Sequence, residues 1–276
     1  MLNSTKELVN FKRKLIEFQT FSDDNSCMIN YNYSFDKELF NFLGKYDIPL
    51  KREYTSETEH IIGVLLWMKN NTSHNGYVSD YINLNSRDLL KWSITNNQGI
   101  NCLMLAIVLQ EIYTYFGYYS FIVRGNPYDY KILDNHWHVH VYSNQQKKWI
   151  MMDPSWCAFC YDGEKLLSID EIREYLINNY KFEIFNECLL TKNNYYYLLC
   201  RYLFHFERFI NNGFNTFRES DQRKISLSPV GFDAQEYSKK RFEIENNTMG
   251  HYLNIYKSHN DNCIYTKNKD MFWATF

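Results

Sequence analysis

The chain has little proline, little glycine and no block of like charge. Four prolines and ten glycines among 276 residues leave few natural breaks. No Gly/Ser/Pro-rich linker, internal repeat or low-complexity tract divides the chain, which suits one large domain or a core with an annex. Thirty basic residues stand against 32 acidic ones, for a formal net charge of −2. No like-charge run exceeds a few residues, so the basic stripe expected of a nucleic-acid binder is missing. A long apolar run is missing too. The longest, IIGVLLWM at residues 61–68, falls far short of the roughly 20 residues that a membrane helix needs. The N-terminus, MLNSTKELVNFKRK, interleaves charges and offers no apolar signal-peptide core. These absences lead us to expect a cytoplasmic protein with neither a nucleic-acid nor a membrane partner. Seven cysteines are an odd number at irregular spacing. Without an export signal they read as free thiols rather than disulfides, and Asn-x-Ser/Thr triplets such as Asn32–Ser34 carry no glycosylation meaning.

What is present is apolar and aromatic residues: 45% hydrophobic and 18% Phe, Trp or Tyr. That is ample for a core, and aromatic richness alone says nothing of function. Residues 5–18, 36–45 and 57–70 carry helical apolar spacing, and residues 86–95 read as a short helix before the NNQG loop. We therefore take 1–84 as an N-terminal helical annex and 85–276 as the core with a C-terminal extension, packed as one unit. From Cys102 to about Phe116 the spacing predicts a helix, with Gly117 as its C-cap. Period two then takes over: YYSFIVRG, HWHVHVYS and WIMMD read as three strands. A helix followed by antiparallel strands predicts an α+β layer rather than a βαβ unit. Ser168 and Glu171 form a capping-box pattern that opens a helix over 168–179. Residues 193–210 read as one long aromatic helix, whose aromatics suit the core better than an acyl channel. RKISLSP and HYLNIYK read as strands.

The chemistry gathers between Gln98 and Trp156. A thiol attacks as thiolate, so the protein must lower its pKa. A helix N-terminus and a neighbouring imidazole both do this. Cys102 stands at a predicted helix start, with Gly99 permitting a tight turn before it, and backbone N–H groups there would hold an oxyanion. On HWHVHVYS, Trp137, Val139 and Val141 share the face assigned to the core. That turns His136 toward the helix side or an open cleft. Asp153, ending the next strand, would accept from the second ring nitrogen and fix the tautomer. His138 and His140 share the face of His136 and are its rivals.

The set Gly99–Cys102 at a helix start, His136–Tyr142 on a strand, Lys148–Pro154 on the next and Glu171–Arg173 on a helix resembles the transglutaminase-like branch of the papain-type cysteine superfamily. The resemblance covers roughly residues 85–180. It implies a papain-like α+β fold, a nucleophile helix packed on an antiparallel sheet. It also implies Cys102 as nucleophile, His136 as general base and acid, and Asp153 as orienter. Relatives of this kind often complete the oxyanion hole with an upstream Gln or aromatic residue, for which Gln98 and Trp92 are the candidates here. The chain departs from the family pattern at His140, where the family often has an acidic residue, and at His138.

A metal site is the alternative reading of His136, His138, His140 and the Cys157–Cys160 pair. Alternate strand positions lie roughly 6.5–7 Å apart, and no acidic ligand is demanded nearby, so we expect neither metal nor cofactor. The expected activity is an acyltransferase that forms an amide bond from an acyl thioester or amide donor and an amine, through a Cys102 thioester, in the biosynthesis of a peptide-like metabolite. Its partners would be the donor, free or on a carrier protein, and the amine. The alternatives are a cysteine peptidase or amidase with the same triad, and an inert scaffold.

Overall fold

The computed structural model describes residues 5–23, 29–35, 37–78, 82–187, 191–217, 223–248 and 262–274. The chain opens with helix α1 (Thr5–Glu17), which buries Phe11 and Leu15. Strand β1 (Asn32–Tyr33) and two 3₁₀ segments, Lys37–Lys45 and Lys51–Glu53, lead to α2 (Glu57–Asn71). The expected α-helix over 36–45 is thus a tighter 3₁₀ segment. Ser56 caps α2 by accepting from the Glu59 N–H. Helix α3 (Ser86–Leu90) passes into a π-helical turn at Lys91–Thr95.

Helix α4 (Cys102–Tyr115) is the centre of the molecule. Leu103 to Thr114 are all buried, and a helix buried on every side belongs in the interior. Asn101 caps its start by accepting from the Met104 N–H at 3.0 Å. Gly117, at φ +76°, ends it. The Gly117 and Tyr118 N–H groups turn back onto the Thr114 and Tyr113 carbonyls, both at 2.9 Å, an arrangement that needs the left-handed conformation glycine supplies.

Strands β2 (Ser120–Asn126), β3 (His136–Ser143) and β4 (Lys148–Met152) follow as an antiparallel meander. Strands β5 (Ala158–Asp162) and β6 (Lys165–Leu166), helix α5 (Ile169–Asn178) and strand β7 (Glu183–Asn186) come next, the three strands forming a sheet of their own. The capping box at Ser168 and Glu171 is present as expected. Helix α6 (Lys192–Tyr202) is succeeded by β8 (His205–Phe209), β9 (Asn211–Asn212), β10 (Lys224–Leu227), α7 (Ala234–Thr248), β11 (Cys263–Thr266) and α8 (Lys269–Trp273). The long helix expected over 193–210 is therefore two elements. HFERF breaks away because it pairs with β2 on one side and β10 on the other, and both its faces are buried. Such a strand loses the alternation that would have marked it. RKISLSP contains β10 as expected, whereas HYLNIYK lies outside the described residues.

The main sheet runs β11-β10-β8-β2-β3-β4, antiparallel except for the β10–β11 pair. The structure is of the α+β class. Both faces of the sheet are covered. On one, Ile122, Trp137, Val139, Val141, Ile150 and Met152 join α4 and the α2 residues Ile61, Val64 and Leu65 in one core. On the other, Phe121, Val123 and Met151 join residues of α1, α5, α6 and α8 in a second core. This corrects the expected placement of the histidine face. The α4 side is the Trp137 face, and the face bearing His138 and His140 lies under the second core rather than in an open cleft. Among the described residues no helix is long and apolar enough to cross a membrane.

The sheet and α6 meet closely at Gly125, where an added Cβ would stand 2.6 Å from the Tyr202 carbonyl oxygen. Gly125→Ala must push α6 away from β2. A loss of roughly 1–3 kcal/mol is expected, measured as a lower denaturant midpoint at unchanged slope in urea unfolding.

Candidate active site

Three elements converge at the start of α4. Cys102 is the first residue of that helix and is half-buried. His136 is the first residue of β3, 6% exposed. Asp153 follows β4 and is fully buried. Its backbone is pinned by a two-bond bridge to Ala158, at 2.9 and 3.0 Å. The Asp153 carboxylate has three partners. Oδ2 meets His136 Nε2 at 2.7 Å and accepts from the Tyr195 hydroxyl at 2.9 Å. Oδ1 accepts from the Ser155 N–H at 3.0 Å. One oxygen thus shapes the turn after Pro154, and the other orients the imidazole.

The electrostatics form a chain. Burial raises the Asp153 carboxyl, but the charge and hydrogen bond of His136 outweigh it and hold the pKa below its usual value. Burial disfavours imidazolium at His136, yet Asp153, then Cys102, push its pKa up to about 10. Burial likewise opposes a thiolate at Cys102, but hydrogen bonds from His136 and His74 bring its pKa down to about 7 from an ordinary 9.0. With Nε2 on Asp153, the other ring nitrogen of His136 is left for the sulfur. The lowered thiol and the raised imidazole both favour the thiolate–imidazolium form of the pair, and at a helix N-terminus the thiolate gains further from the helix dipole.

Comparison with known proteins returns nothing. No family model, curated protein or solved structure matches this chain. The reading of the site therefore rests on its own geometry.

The rival histidines separate by environment. His138 is buried and lowered to about 3, first by burial and then by the charge of His136. His140 is fully buried, stacked on Phe121 at 5.3 Å with Trp273 at 5.2 Å, and its pKa is driven well down by burial. Both are neutral at ordinary pH. His136, His138 and Asp153 place one potential ligand atom each within 4.8 Å of one another, closer than the spacing along the strand suggests. His136 and Asp153 are bonded to each other, and Asp153 also to Tyr195. Cys157 and Cys160 are buried free thiols, and burial raises the Cys160 pKa.

The two oxyanion candidates fare differently. Gln98 is exposed in the loop, its N–H donating to the Ser93 carbonyl. Trp92 is partly buried against the α4 core, with its indole Nε1 buried and unpartnered. The side chains that favour the Cys102 thiolate are instead His136 and His74. The sequence reading missed His74, which lies in a loop with no periodic pattern, and Tyr195, hidden in an aromatic run. Only the SHNG turn character around His74 marked the stretch at all.

Two measurements test this geometry. Among the described residues Cys200 and Cys263 compete poorly for alkylation, because burial pushes both up to about 12. Iodoacetamide labelling at Cys102, followed by peptide mapping, should rise through about pH 7. His136→Ala removes the largest lowering partner, so its midpoint should move up, and labelling near neutral pH should fall about tenfold for each unit moved. Tyr195→Phe takes a donor from a buried carboxylate and should cost about 1.5–3 kcal/mol of stability, read by urea denaturation.

Proposed function

We propose that this chain is a cysteine acyltransferase of papain-like, transglutaminase-like layout. The observation that carries the reading is the His136–Asp153 bond of 2.7 Å, with Cys102 at a helix start on the remaining side of the same ring. The Cys102 thiolate attacks the carbonyl carbon of an acyl thioester or amide. The C–S bond forms, the bond to the leaving group breaks, and His136 gives its proton to the departing sulfur or nitrogen. The α4 N–H groups not used by the Asn101 cap are donors for the oxyanion. In the second half, an acceptor loses a proton to the now neutral His136 and attacks the thioester, and Cys102 leaves as thiolate.

The acceptor in this proposal is an amine, and the product an amide. Support comes from the aromatic surroundings of the sulfur. Trp156 stands beside His74 with ring centroids 5.4 Å apart, and Tyr202 lies 5.9 Å from the His136 ring. Such walls suit an acceptor with an apolar body over bulk water. A donor presented on a carrier protein fits a nucleophile that is half-buried at a helix start. Hydrolysis of an amide or peptide by the same triad is the competing outcome.

The test uses a short-chain acyl N-acetylcysteamine thioester as donor, with intact-protein mass spectrometry. One acyl adduct is expected, mapping to Cys102 and lost in Cys102→Ser. A primary amine should clear it at least about tenfold faster than buffer and yield the amide. An adduct cleared at one rate with or without amine would establish the hydrolase instead. No adduct on a protein whose Cys102 still alkylates would remove acyl chemistry altogether.

A further inference from the structure

His74 comes from the loop after α2, outside the stretch that carries the rest of the site. Its placement is set by backbone. His74 bridges Ile100 in a parallel pairing. The Ile100 N–H donates to the Ser73 carbonyl, and the Asn75 N–H donates to the Ile100 carbonyl, both at 2.9 Å. The two segments touch because residue 99 is glycine: a Cβ there would come 2.7 Å from the Asn75 Cβ and 3.2 Å from the Ser73 carbonyl oxygen. This strap fixes residue 74 opposite residue 100, just ahead of the nucleophile. The ring of His74 then lies against Trp156 at 5.4 Å, which follows Asp153 in the chain. The side chain is exposed, whereas His136 is buried. One imidazole therefore reaches the sulfur from the interior and the other from solvent.

The two have different freedom. His136 has one nitrogen on Asp153 and the other on Cys102. Among the described residues no carboxylate is paired with the His74 ring, which acts with His136 to favour the Cys102 thiolate. Among the described residues the ionisable groups acting on the sulfur are His136 from β3, His74 from the loop after α2 and Tyr202 from α6, with Asp153 after β4 acting through His136.

We infer that His74 is a second catalytic imidazole, donating an N–H to the Cys102 sulfur from the solvent side and holding the thiolate while His136 exchanges its proton with the substrate. The inference rests on the acyl-transfer reading above. On acylation the sulfur lone pair forms the C–S bond, the leaving group takes the His136 proton, and the N–H of His74 loses its anionic acceptor. When the acceptor attacks, its proton goes to His136, the C–S bond breaks toward sulfur, and the thiolate is received by the same His74 N–H. His74 acts only as an N–H donor in both halves. A neutral amide donor can therefore replace it in part.

Full-length protein is alkylated with iodoacetamide from about pH 5 to about pH 10, comparing wild type, His74→Ala, His74→Gln and His136→Ala. His74→Ala should raise the Cys102 midpoint and slow labelling near pH 6.5 by about tenfold per unit moved. His74→Gln, which keeps an N–H, should recover half or more of that shift. Thermal unfolding should be unchanged in both, since the side chain is exposed and the strap is held by backbone bonds. A His74→Ala midpoint equal to wild type, with His136→Ala still shifted, overturns the role of His74 and leaves the triad standing. A shift that glutamine does not relieve, accompanied by a lower unfolding temperature, makes His74 structural and also overturns it. Wild-type midpoints in both His74→Ala and His136→Ala would overturn the triad reading itself.

Discussion

The bond between His136 Nε2 and the fully buried Asp153 carboxylate fixes more of this molecule than any other contact. A buried carboxylate is costly unless its lone pairs are used, and here three donors use them: His136, Tyr195 and the Ser155 N–H. With Asp153 kept ionised, a proton on His136 is stabilised, and a charged His136 stabilises a thiolate at Cys102. The shifts alternate in the sense such a chain requires: Asp153 down, His136 up, Cys102 down. The same charge decides what His138 can be. It sits beside His136, with ring centroids 4.7 Å apart, and a second imidazolium there would be repelled. It remains neutral, and the one charged imidazole of β3 is the one that Asp153 selects.

Holding that bond requires register. His136 and Asp153 reach each other because β3 pairs with β4 so that Val139 lies opposite Met152. A slip of one residue would exchange the two faces of β3. It would drive Trp137, Val139 and Val141 out of the α4 core and His138 and His140 into it. Because both faces of the sheet are packed, neither exchange is tolerable. The apolar cores thus act on the site through geometry: they lock the pairing that sets His136 against Asp153 and Cys102.

Cys102, His136 and Asp153 were legible in the sequence because each sits at an element boundary with a local mark. Asn101 caps a strongly apolar helix, HWHVHVYS alternates, and an Asp-Pro step ends the next strand. The capping box at Ser168 and the three central strands were legible for the same reason. What escaped lacked local marks. His74 is placed by a bridge to Ile100 across a long gap in sequence, and nothing nearby in the chain announces that pairing. Tyr195 is one tyrosine in a run of three, and only the packing of α6 singles it out. Strand β8 was absorbed into a helix because, buried on both faces, even its polar residues are packed inside: Glu207 paired with Arg124 and Lys224, Arg208 between the rings of Tyr31 and Phe121, and His205 against Phe232 and Tyr237. The burial of both sheet faces was hidden for a related reason. Three histidines on one face look like a polar surface, and only the aromatic rings around His140 show that the face is interior.

The late part of the chain also bears on the base. Strand β3 begins at His136, and the residue two positions earlier, Asp134, is held from two helices. Arg201 of α6 grips its carboxylate at 2.7 and 2.5 Å, and the Tyr202 hydroxyl donates to it at 2.8 Å. Arg241 of α7, itself buried and paired with Glu245, donates to the Leu133 and Asp134 carbonyls. An arginine buried this deeply costs desolvation that a surface ion pair would avoid, and a loop with no purpose would not need it. Its donors go to the carbonyls that lead into His136, so α7 restrains the approach of β3 as β4 restrains its exit. His136 is therefore held through Asp134 by α6 and α7 on one side and through its ring by Asp153 on the other. Cys102 beside it is fixed by the Asn101 cap and the His74 strap. Elements far apart in sequence, from α2 to α7, are needed to set two side chains against each other.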